Sequence, residues 1–266
     1  RSLGTSCALP SVDASQTTAA DVHRDFVSTG TPVLIRGGVY NSSWEALTNW
    51  RRDNLLAAAG DEDVAVATIP YAHVFGLRSQ KASLREYVQY LDRVHSGRDG
   101  GGKHAGTRGG HDDARGGRGA HQAASSQPNE LPPFYVFDGT LLSADGSSAL
   151  REDVSVPFGF EDLAASFKAY PQFSLGPEGS GAPFHRHCPA VNGLVFGQKR
   201  WRLLTPERAF YTREPVFTAS SKPVTDAIEC TQAAGDVLFV PEGWGHEVLN
   251  EAESVAVAFE FDTGDC

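Results

Sequence analysis

Three histidines have the side-chain type and the spacing that could bind a metal ion. His185 and His187 are two residues apart, and His246 follows much later, directly after a Pro-Glu-Gly-Trp-Gly segment. Alternate side chains of a β-strand share one face, so a strand from Pro183 to His187 would present both imidazoles together. Neutral imidazole is the commonest metal ligand in proteins. The pattern therefore predicts a site for a divalent transition metal formed by His185, His187 and His246.

The segments around these histidines resemble the JmjC domain family. The clearest similarity lies in short segments rich in glycine, proline and apolar residues, namely residues 174–184, 191–204, 229–231, 234–241 and 244–250. A looser similarity extends to residues 32–37, 55–61 and 133–137. The resemblance covers most of the chain and is closest to a small family member of the endoplasmic reticulum lumen.

The resemblance implies an oxygenase that depends on Fe(II) and 2-oxoglutarate. Family members present His-x-Asp or His-x-Glu and a distal histidine, which leave three open positions on Fe(II) for 2-oxoglutarate and dioxygen. Here His187 stands where the carboxylate is expected. Because neutral imidazole brings no negative charge, Fe(II) should bind more weakly, although three-histidine sites hold several divalent metals. Metal binding is therefore expected, whereas turnover does not follow from the motif.

The resemblance also implies a pocket for 2-oxoglutarate. Lys199 lies in the segment Gly-Gln-Lys-Arg-Trp, which is similar to the family strand whose lysine pairs with the distal carboxylate of 2-oxoglutarate. Asn192, Asn250 and Ser254 occupy positions at which relatives place polar residues around this pocket. Ala182 stands where some relatives have a threonine hydroxyl, so one possible hydrogen bond is missing. The predicted co-substrate site thus comprises Lys199, Asn192, Asn250 and Ser254.

Three functional hypotheses are compatible with these residues. The first is an active oxygenase that hydroxylates a protein side chain and has His185, His187 and His246 as its catalytic centre. The second is a catalytically inactive barrel that acts as an interaction or scaffold protein in the secretory pathway. The third is a cupin-like three-histidine metalloenzyme that needs no 2-oxoglutarate. The first two imply a protein substrate or partner, and no oligomeric state is predicted.

The predicted fold is mainly β, a double-stranded β-helix of the jelly-roll or cupin-like type with an N-terminal α/β extension. From residue 173 onward, short apolar runs alternate with glycine and proline turns, which is typical of an antiparallel barrel. We expect residues 173–266 to form the barrel core and residues 1–172 to form an extension integral to the fold. Residues 96–128 contain no large apolar side chain and are predicted to be a disordered glycine-rich insertion.

Apolar spacing and capping signals predict the elements that must support the barrel. Helices are predicted for residues 19–28, for residues 44–59 and from a Ser83-Leu84-Arg85-Glu86 capping box onward. Strands are predicted for residues 32–36, 63–68 and 254–261, the last of which should close one sheet after the strand of His246. Tyr87 and Tyr90 on the capped helix are expected to pack rather than to contact a ligand.

Composition argues against nucleic-acid binding and against a membrane-spanning segment. A net charge of −10 and an isoelectric point near 5.3 argue against a nucleic-acid partner, because a basic surface would be required. No apolar run approaches the roughly 18 residues of a membrane span. We therefore expect neither nucleic-acid binding nor a membrane-spanning segment.

Cysteines and a glycosylation sequon bear on the compartment. Cys7, Cys188, Cys230 and Cys266 permit up to two disulfides of undetermined connectivity. Cys188 directly follows the histidine pair and is interpreted as a buried free thiol, with a soft metal ligand or a redox-sensitive thiol as alternatives. Asn41 begins an Asn-Ser-Ser acceptor sequon. Together with the resemblance, these features favour the endoplasmic reticulum lumen and the secretory pathway.

Overall fold

The computed structural model describes residues 6–72, 76–77, 79–99, 133–143, 149–264 and 266. Within these residues it contains thirteen strands, seven α-helices, one short π-helix and two short 3₁₀ helices. The strands are β1 (Ser11–Asp13), β2 (Val33–Arg36), β3 (Asp63–Ala67), β4 (Gln80–Ser83), β5 (Tyr135–Asp138), β6 (Lys168–Gly176), β7 (Gly181–His185), β8 (Ala190–Phe196), β9 (Gln198–Leu204), β10 (Ile228–Ala233), β11 (Val237–Val240), β12 (Gly245–Asn250) and β13 (Ser254–Asp262). The α-helices are α1 (Ala19–Val22), α2 (Gly38–Asn41), α3 (Ala46–Asn49), α4 (Arg52–Ala59), α5 (Leu84–Asp99), α6 (Glu161–Ser166) and α7 (Val216–Ala219).

The strands form two sheets that pack against each other. The larger sheet has nine strands in the order β1-β2-β11-β8-β13-β6-β5-β3-β4, and the smaller has four in the order β10-β9-β12-β7. Between them, Leu34 and Leu238 of the larger sheet pack with Trp201, Leu203 and Val248 of the smaller one. The predicted fold, mainly β and of the jelly-roll type, is confirmed.

Side-chain alternation along β13 separates a packed face from a face that lines the barrel interior. Val257, Phe259 and Phe261 are buried in a core that the larger sheet shares with the helices. Burial of an apolar side chain of this size contributes about 1.5–3 kcal/mol. Ala258 and Glu260 project to the opposite face, because successive side chains of a strand alternate. β13 therefore joins the main core to the interior of the barrel.

The N-terminal strands extend the larger sheet on both sides. β2 pairs with β11 at one end, and β5 pairs with β6 and β3 at the other. The predicted boundary between residues 172 and 173 falls inside β6. Of the predicted glycine-rich insertion, residues 96–99 end α5 and the remainder lies outside the described residues.

The capping box predicted at the start of α5 is confirmed. The backbone N–H of Ser83 donates to the Glu86 carboxylate at 2.9 Å, and the Glu86 N–H donates to the Ser83 hydroxyl at 3.2 Å. Tyr87 and Tyr90 both hydrogen-bond the backbone of Phe134, so α5 anchors the segment that leads into β5. Among the described helices, none combines the length and apolar character needed to cross a lipid bilayer.

The continuous helix predicted for residues 44–59 is wrong, because the chain is extended at Arg51 and separates α3 from α4. The interruption lets the indole of Trp50 reach the core, where its ring centroid lies 5.5 Å from that of Phe173. Asn49 and the Trp50 indole N–H both donate to the carboxylate of Asp153. Burial of Trp50 thus overrides the helical propensity of the segment.

Two disulfides connect distant parts of the sequence. Cys7 is bonded to Cys230 on β10, and Cys188, in the loop after β7, is bonded to Cys266. The interpretation of Cys188 as a buried free thiol is therefore wrong, and so are its alternatives as a metal ligand or a redox-sensitive free thiol. The loop that carries His187 is covalently tied to the segment that follows β13.

Candidate metal centre

The three predicted histidines converge at one end of the barrel. β7 and β12 are antiparallel neighbours, and His185 lies directly opposite His246 in their register. The ring of His185 is 4.2 Å from that of His246 between centroids, and the ring of His187 is 5.2 Å and 4.7 Å from these two. The strand predicted to reach His187 is too long, since β7 ends at His185 and the chain turns towards β8. The turn nevertheless brings the third ring to the site.

Each imidazole is held by a backbone carbonyl on the side that faces away from the cluster. Nδ1 of His185 donates to the Pro183 carbonyl at 2.8 Å, and Nδ1 of His246 donates to the Trp244 carbonyl at 3.1 Å. His187 makes the equivalent bond to the next carbonyl in the chain, at 2.6 Å. A carbonyl only accepts, so these bonds assign the proton to Nδ1 and leave the lone pair on Nε2.

The geometry and the charge state of the histidines both suit a metal ion. One ring nitrogen from each of the three residues lies within 4.8 Å of the other two. Burial, with a smaller contribution from the neighbouring His187, lowers the pKa of His185 to about 3. Burial also lowers the pKa of His246 well below its usual value. These two imidazoles are therefore neutral at physiological pH, which is the form that binds a cation.

Two adjoining cavities meet at the histidines. The outer cavity has a volume of about 230 Å³ and includes Tyr71, Tyr211 and Glu260 in its lining. The inner cavity, of about 50 Å³, is lined by His246 together with Tyr135, Lys199 and other inward-facing side chains. His185 and His187 line both cavities. A ligand on the metal can thus be approached from the outer side while its far end points inward.

Lys199 lies in the inner cavity as a buried amine. Lys199 is 1 % exposed, and burial lowers the pKa of its amine to about 7. Its Nζ donates to the hydroxyl of Tyr135 at 3.4 Å, and the described residues that line this cavity include no carboxylate. A buried ammonium without a counter-charge is costly. The inner cavity is therefore suited to the carboxylate of a ligand.

The structure distributes the other predicted pocket residues unequally. Asn192 lines the inner cavity, and its Oδ1 is buried without a hydrogen-bond partner among the described residues. Asn250 lies opposite Lys199 in the register of β12 and β9, but its amide donates to Ser180 and it is not among the residues lining the cavity. Ser254 bonds the backbone of Gln198 at the β9 turn. Lys199 and Asn192 are thus brought to the cavity, whereas Asn250 and Ser254 are not.

Several residues of the site were missed in the sequence. Tyr135 contacts Lys199, and burial raises its pKa to about 12, so its hydroxyl stays protonated. Tyr71 and Glu260 line the outer cavity. Tyr135 lies in segment 133–137, which loosely resembles the family, and Glu260 interrupts an alternating apolar strand. The sequence therefore offered a reason to consider both residues as part of the site. Tyr71 is in a segment with no regular pattern, so the sequence offered no reason to place it in the site.

Glu247, the neighbour of His246, faces away from the metal centre. Its carboxylate bonds Arg202, with Oε1 2.5 Å from Nη2 and 2.8 Å from Nε, and the two side chains are 2 % and 4 % exposed. Burial raises the pKa of Glu247, and the charge of Arg202 opposes this shift. The prediction that Glu247 points to the other barrel face is confirmed.

Loss of this buried ion pair should destabilise the fold. We expect Glu247→Ala to lower the free energy of unfolding by about 3–5 kcal/mol, because Arg202 would remain buried without a counter-charge. Urea denaturation followed by circular dichroism measures the change. Glu251→Ala is the matched control, since Glu251 lies 3.6 Å from Arg200 in a pair with both side chains 27 % exposed. It should cost less than about 1 kcal/mol. Equal losses in the two variants would contradict the expected role of burial.

Comparison with known proteins agrees with this architecture. Residues 179–265 match the JmjC domain, and this stretch contains all three histidines and Lys199. The chain is 28% identical over 239 residues to human JmjC domain-containing protein 8, which covers 85% of this chain and 74% of that protein. The segment that matches the family, residues 179–265, therefore contains the three histidines of the candidate metal centre.

More distant relatives carry functional names. The chain is 32% identical over 160 residues to the bifunctional arginine demethylase and lysyl-hydroxylase psr-1 of Caenorhabditis elegans, which covers 48% of this chain and 40% of that protein. It is 26% identical over 113 residues to the 2-oxoglutarate and iron-dependent oxygenase JMJD4 of Gallus gallus, which covers 34% of this chain and 26% of that protein. Residues 179–265 are therefore similar to the JmjC domain, the family that the sequence motifs resemble.

Proposed function

We propose that this protein is a JmjC-type oxygenase that binds a divalent metal, Fe(II) in the active form, and 2-oxoglutarate. The single observation that carries the proposal is the placement of a buried lysine without a carboxylate partner in the same inner cavity as three convergent histidines. The names of the relatives, one an iron-dependent oxygenase and one a demethylase and hydroxylase, support the same chemistry.

The residues of the site divide the work between them. His185, His187 and His246 hold the metal through Nε2, and their Nδ1–H···carbonyl bonds fix the ring orientation. Lys199, with the Tyr135 hydroxyl beside it, binds the distal carboxylate of 2-oxoglutarate. When bound, Fe(II) and 2-oxoglutarate supply the oxidising power for dioxygen chemistry. The apolar lining, which includes Trp201 and Val248, keeps bulk water from the site.

The substrate is proposed to be a protein side chain. The demethylase and hydroxylase similarity supports this class, because that relative is named for arginine and lysine. The outer cavity has a volume of about 230 Å³, which is enough for one side chain, and it is lined by His185 and His187. Hydroxylation is the simplest outcome, since it inserts one oxygen atom into a C–H bond of the group held there.

The test is metal- and co-substrate-dependent formation of succinate. The metal-stripped protein is titrated anaerobically with Fe(II) and then with 2-oxoglutarate, and succinate is measured after oxygen is admitted. Binding of both ligands and succinate release are expected in the wild type, and neither in a His185→Ala/His246→Ala double variant. Binding of Fe(II) without 2-oxoglutarate would contradict the oxygenase and favour a three-histidine metalloenzyme of another kind.

A second function is favoured by one specific observation, the histidine at the position of the acidic ligand. Three neutral ligands hold Fe(II) less tightly than two with a carboxylate, so the barrel would serve as an interaction or scaffold protein if turnover were lost. Tight binding of a protein partner by the wild type and by the His185→Ala/His246→Ala variant alike would support this function. Loss of partner binding in that variant would reject it.

We also propose that the protein belongs to the secretory pathway, in the endoplasmic reticulum lumen. Two disulfides support an oxidising compartment. Asn41 and Ser43 of the sequon are exposed at the end of α2 and are accessible to an oligosaccharide. When the protein is expressed in the secretory pathway, an endoglycosidase should increase its electrophoretic mobility, and Asn41→Gln should remove that shift. An unmodified wild type would argue against the proposed compartment.

The low pKa of Lys199 predicts a pH dependence of 2-oxoglutarate binding. A carboxylate binds the charged lysine, and this form is depleted above the pKa of about 7 in the free protein. The association constant should therefore be nearly constant below pH 7 and fall by about tenfold per pH unit above it. Calorimetric titration with 2-oxoglutarate across this range measures the slope. Lys199→Met should bind weakly at every pH, and a wild-type profile that rises with pH would contradict the role of Lys199.

A further inference from the structure

A divalent ion held by three neutral imidazoles keeps its full double charge. His246 is 3 % exposed, and the described residues that line the inner cavity include no carboxylate, so little water and no acidic side chain of that cavity would offset this charge. Burial of an unbalanced charge is unfavourable. A carboxylate from a residue outside the histidine motif would therefore stabilise a bound ion until 2-oxoglutarate binds.

Glu260 is placed to supply this carboxylate. It is the only acidic residue among the described residues that line the two cavities. Its Oε1 lies 4.0 Å from Nδ1 of His187, the histidine that replaces the expected acidic ligand. In β13 it pairs with Ala190 of β8, so the larger sheet carries it towards the loop that holds His187. The side chain is 26 % exposed and faces the outer cavity.

Hydrogen bonds from the larger sheet orient the Glu260 carboxylate. The hydroxyl of Tyr71 donates to Oε1 of Gln172 at 2.8 Å. This bond assigns the amide oxygen of Gln172 to Tyr71, so its NH₂ group faces Glu260 and donates to Oε2 at 3.2 Å. Burial and the charge of Glu260 both raise the pKa of Tyr71, which keeps its hydroxyl protonated. One carboxylate oxygen is thus bonded, and the other is turned towards His187.

The other acidic residue near the histidines is already engaged. Glu247 follows His246 directly in sequence, but its carboxylate forms a buried ion pair with Arg202 on the other barrel face. Glu260 has no comparable cationic partner in the described structure, and its polar contacts are the amide of Gln172 and the ring of His187. Of these two acidic residues, Glu260 is therefore the one whose charge is available to a metal bound at the histidines.

We infer that Glu260 is a positioning residue that provides the missing negative charge of the three-histidine centre, acting beside His187 from the facing sheet. The Nδ1–H of His187 is already donated to the Cys188 carbonyl, so the Glu260 carboxylate, 4.0 Å from Nδ1, acts through its charge, which stabilises an ion bound at Nε2 of the same ring. The inference rests on the proposed metal site and adds a residue that the histidine motif does not contain. It predicts that part of the metal affinity lost with the acidic ligand is restored from β13.

The test is a spectroscopic titration of the full chain with Co²⁺ in the absence of 2-oxoglutarate. Glu260→Gln should lower the Co²⁺ affinity by about 10- to 100-fold, the usual effect of losing such a partner. Glu260→Asp keeps the charge and should retain most of the affinity. Glu229→Gln removes an equal charge from an exposed position on β10 and should leave the affinity unchanged. This pattern separates a local charge effect from net charge and from shape.

Two outcomes would overturn the inference, and they differ from failure of the metal site itself. Wild-type Co²⁺ affinity in Glu260→Gln would reject the role of Glu260, and so would equal losses in Glu260→Gln and Glu260→Asp. If Glu260→Gln did not fold, Tyr71→Phe would replace it, with an expected loss of less than tenfold and no loss as the contradicting result. Wild-type affinity in the His185→Ala/His246→Ala variant would instead reject the proposed metal site.

Discussion

Replacement of His246 by alanine is expected to lower the affinity for Fe(II) or Co²⁺ by more than about 100-fold, because the loss of a ligand exceeds the effect of losing a supporting partner. His246 lies on β12 between β7 and β9, and its ring is held by the Trp244 carbonyl. The ring is therefore in place before the ion arrives. β9 carries no histidine, and the histidine of β7, His185, is already one of the three proposed ligands, so no further imidazole of these strands could replace His246.

Metal titration of purified variants checks this expectation. His23→Ala serves as the matched control, since His23 lies in the π-helical turn after α1 and bonds the hydroxyl of Ser28. It should bind metal as the wild type does. His246→Gln preserves much of the side-chain volume in case the alanine variant folds poorly. Near-normal affinity in both His246 variants would show that the ion binds elsewhere.

Removal of the ammonium of Lys199 is expected to abolish 2-oxoglutarate binding while metal content stays unchanged. In Lys199→Ala the distal carboxylate of the ligand would be buried opposite the Tyr135 hydroxyl alone. An unpaired buried charge costs about 2–5 kcal/mol, which corresponds to a loss of about 30-fold or more. The metal is unaffected, because the three histidines hold it without help from Lys199.

Calorimetric titration of the metal-loaded protein with 2-oxoglutarate measures this effect. Lys199→Met keeps the volume of the side chain and separates the missing charge from the missing packing, so it should behave as Lys199→Ala does. Arg200→Ala removes the next cation along β9, which pairs with Glu251 near the surface, and should leave the affinity unchanged. An unaltered affinity in Lys199→Met would remove Lys199 from the co-substrate site.

The fold and the convergence of the three histidines could be predicted because both depend on local patterns. Alternation of apolar residues predicted β13, and the Ser83 capping box predicted the start of α5. The spacing of His185 and His187 was sufficient to predict convergence, although β7 ends before His187. That error had no consequence for the site, since the turn after β7 directs the ring to the same place.

The remaining parts of the site depend on contacts between distant segments. The pairing of Cys188 with Cys266 and the approach of Glu260 to His187 follow from how β13 lies beside β8, and no sequence spacing reports that register. Trp50 broke a helix because a buried position was available for its ring beside Phe173. In each case tertiary packing, rather than local preference, decided the outcome.

The position of β13 in the larger sheet has a consequence for the order of assembly. It lies between β8 and β6 and pairs with both, yet it follows all the other described strands in the sequence. During synthesis by the ribosome, β6 and β8 would therefore emerge with unpaired edges and wait for residues 254–262. Exposed strand edges of this kind are prone to intermolecular association. The nascent chain should thus depend on chaperones until β13 is inserted between β8 and β6.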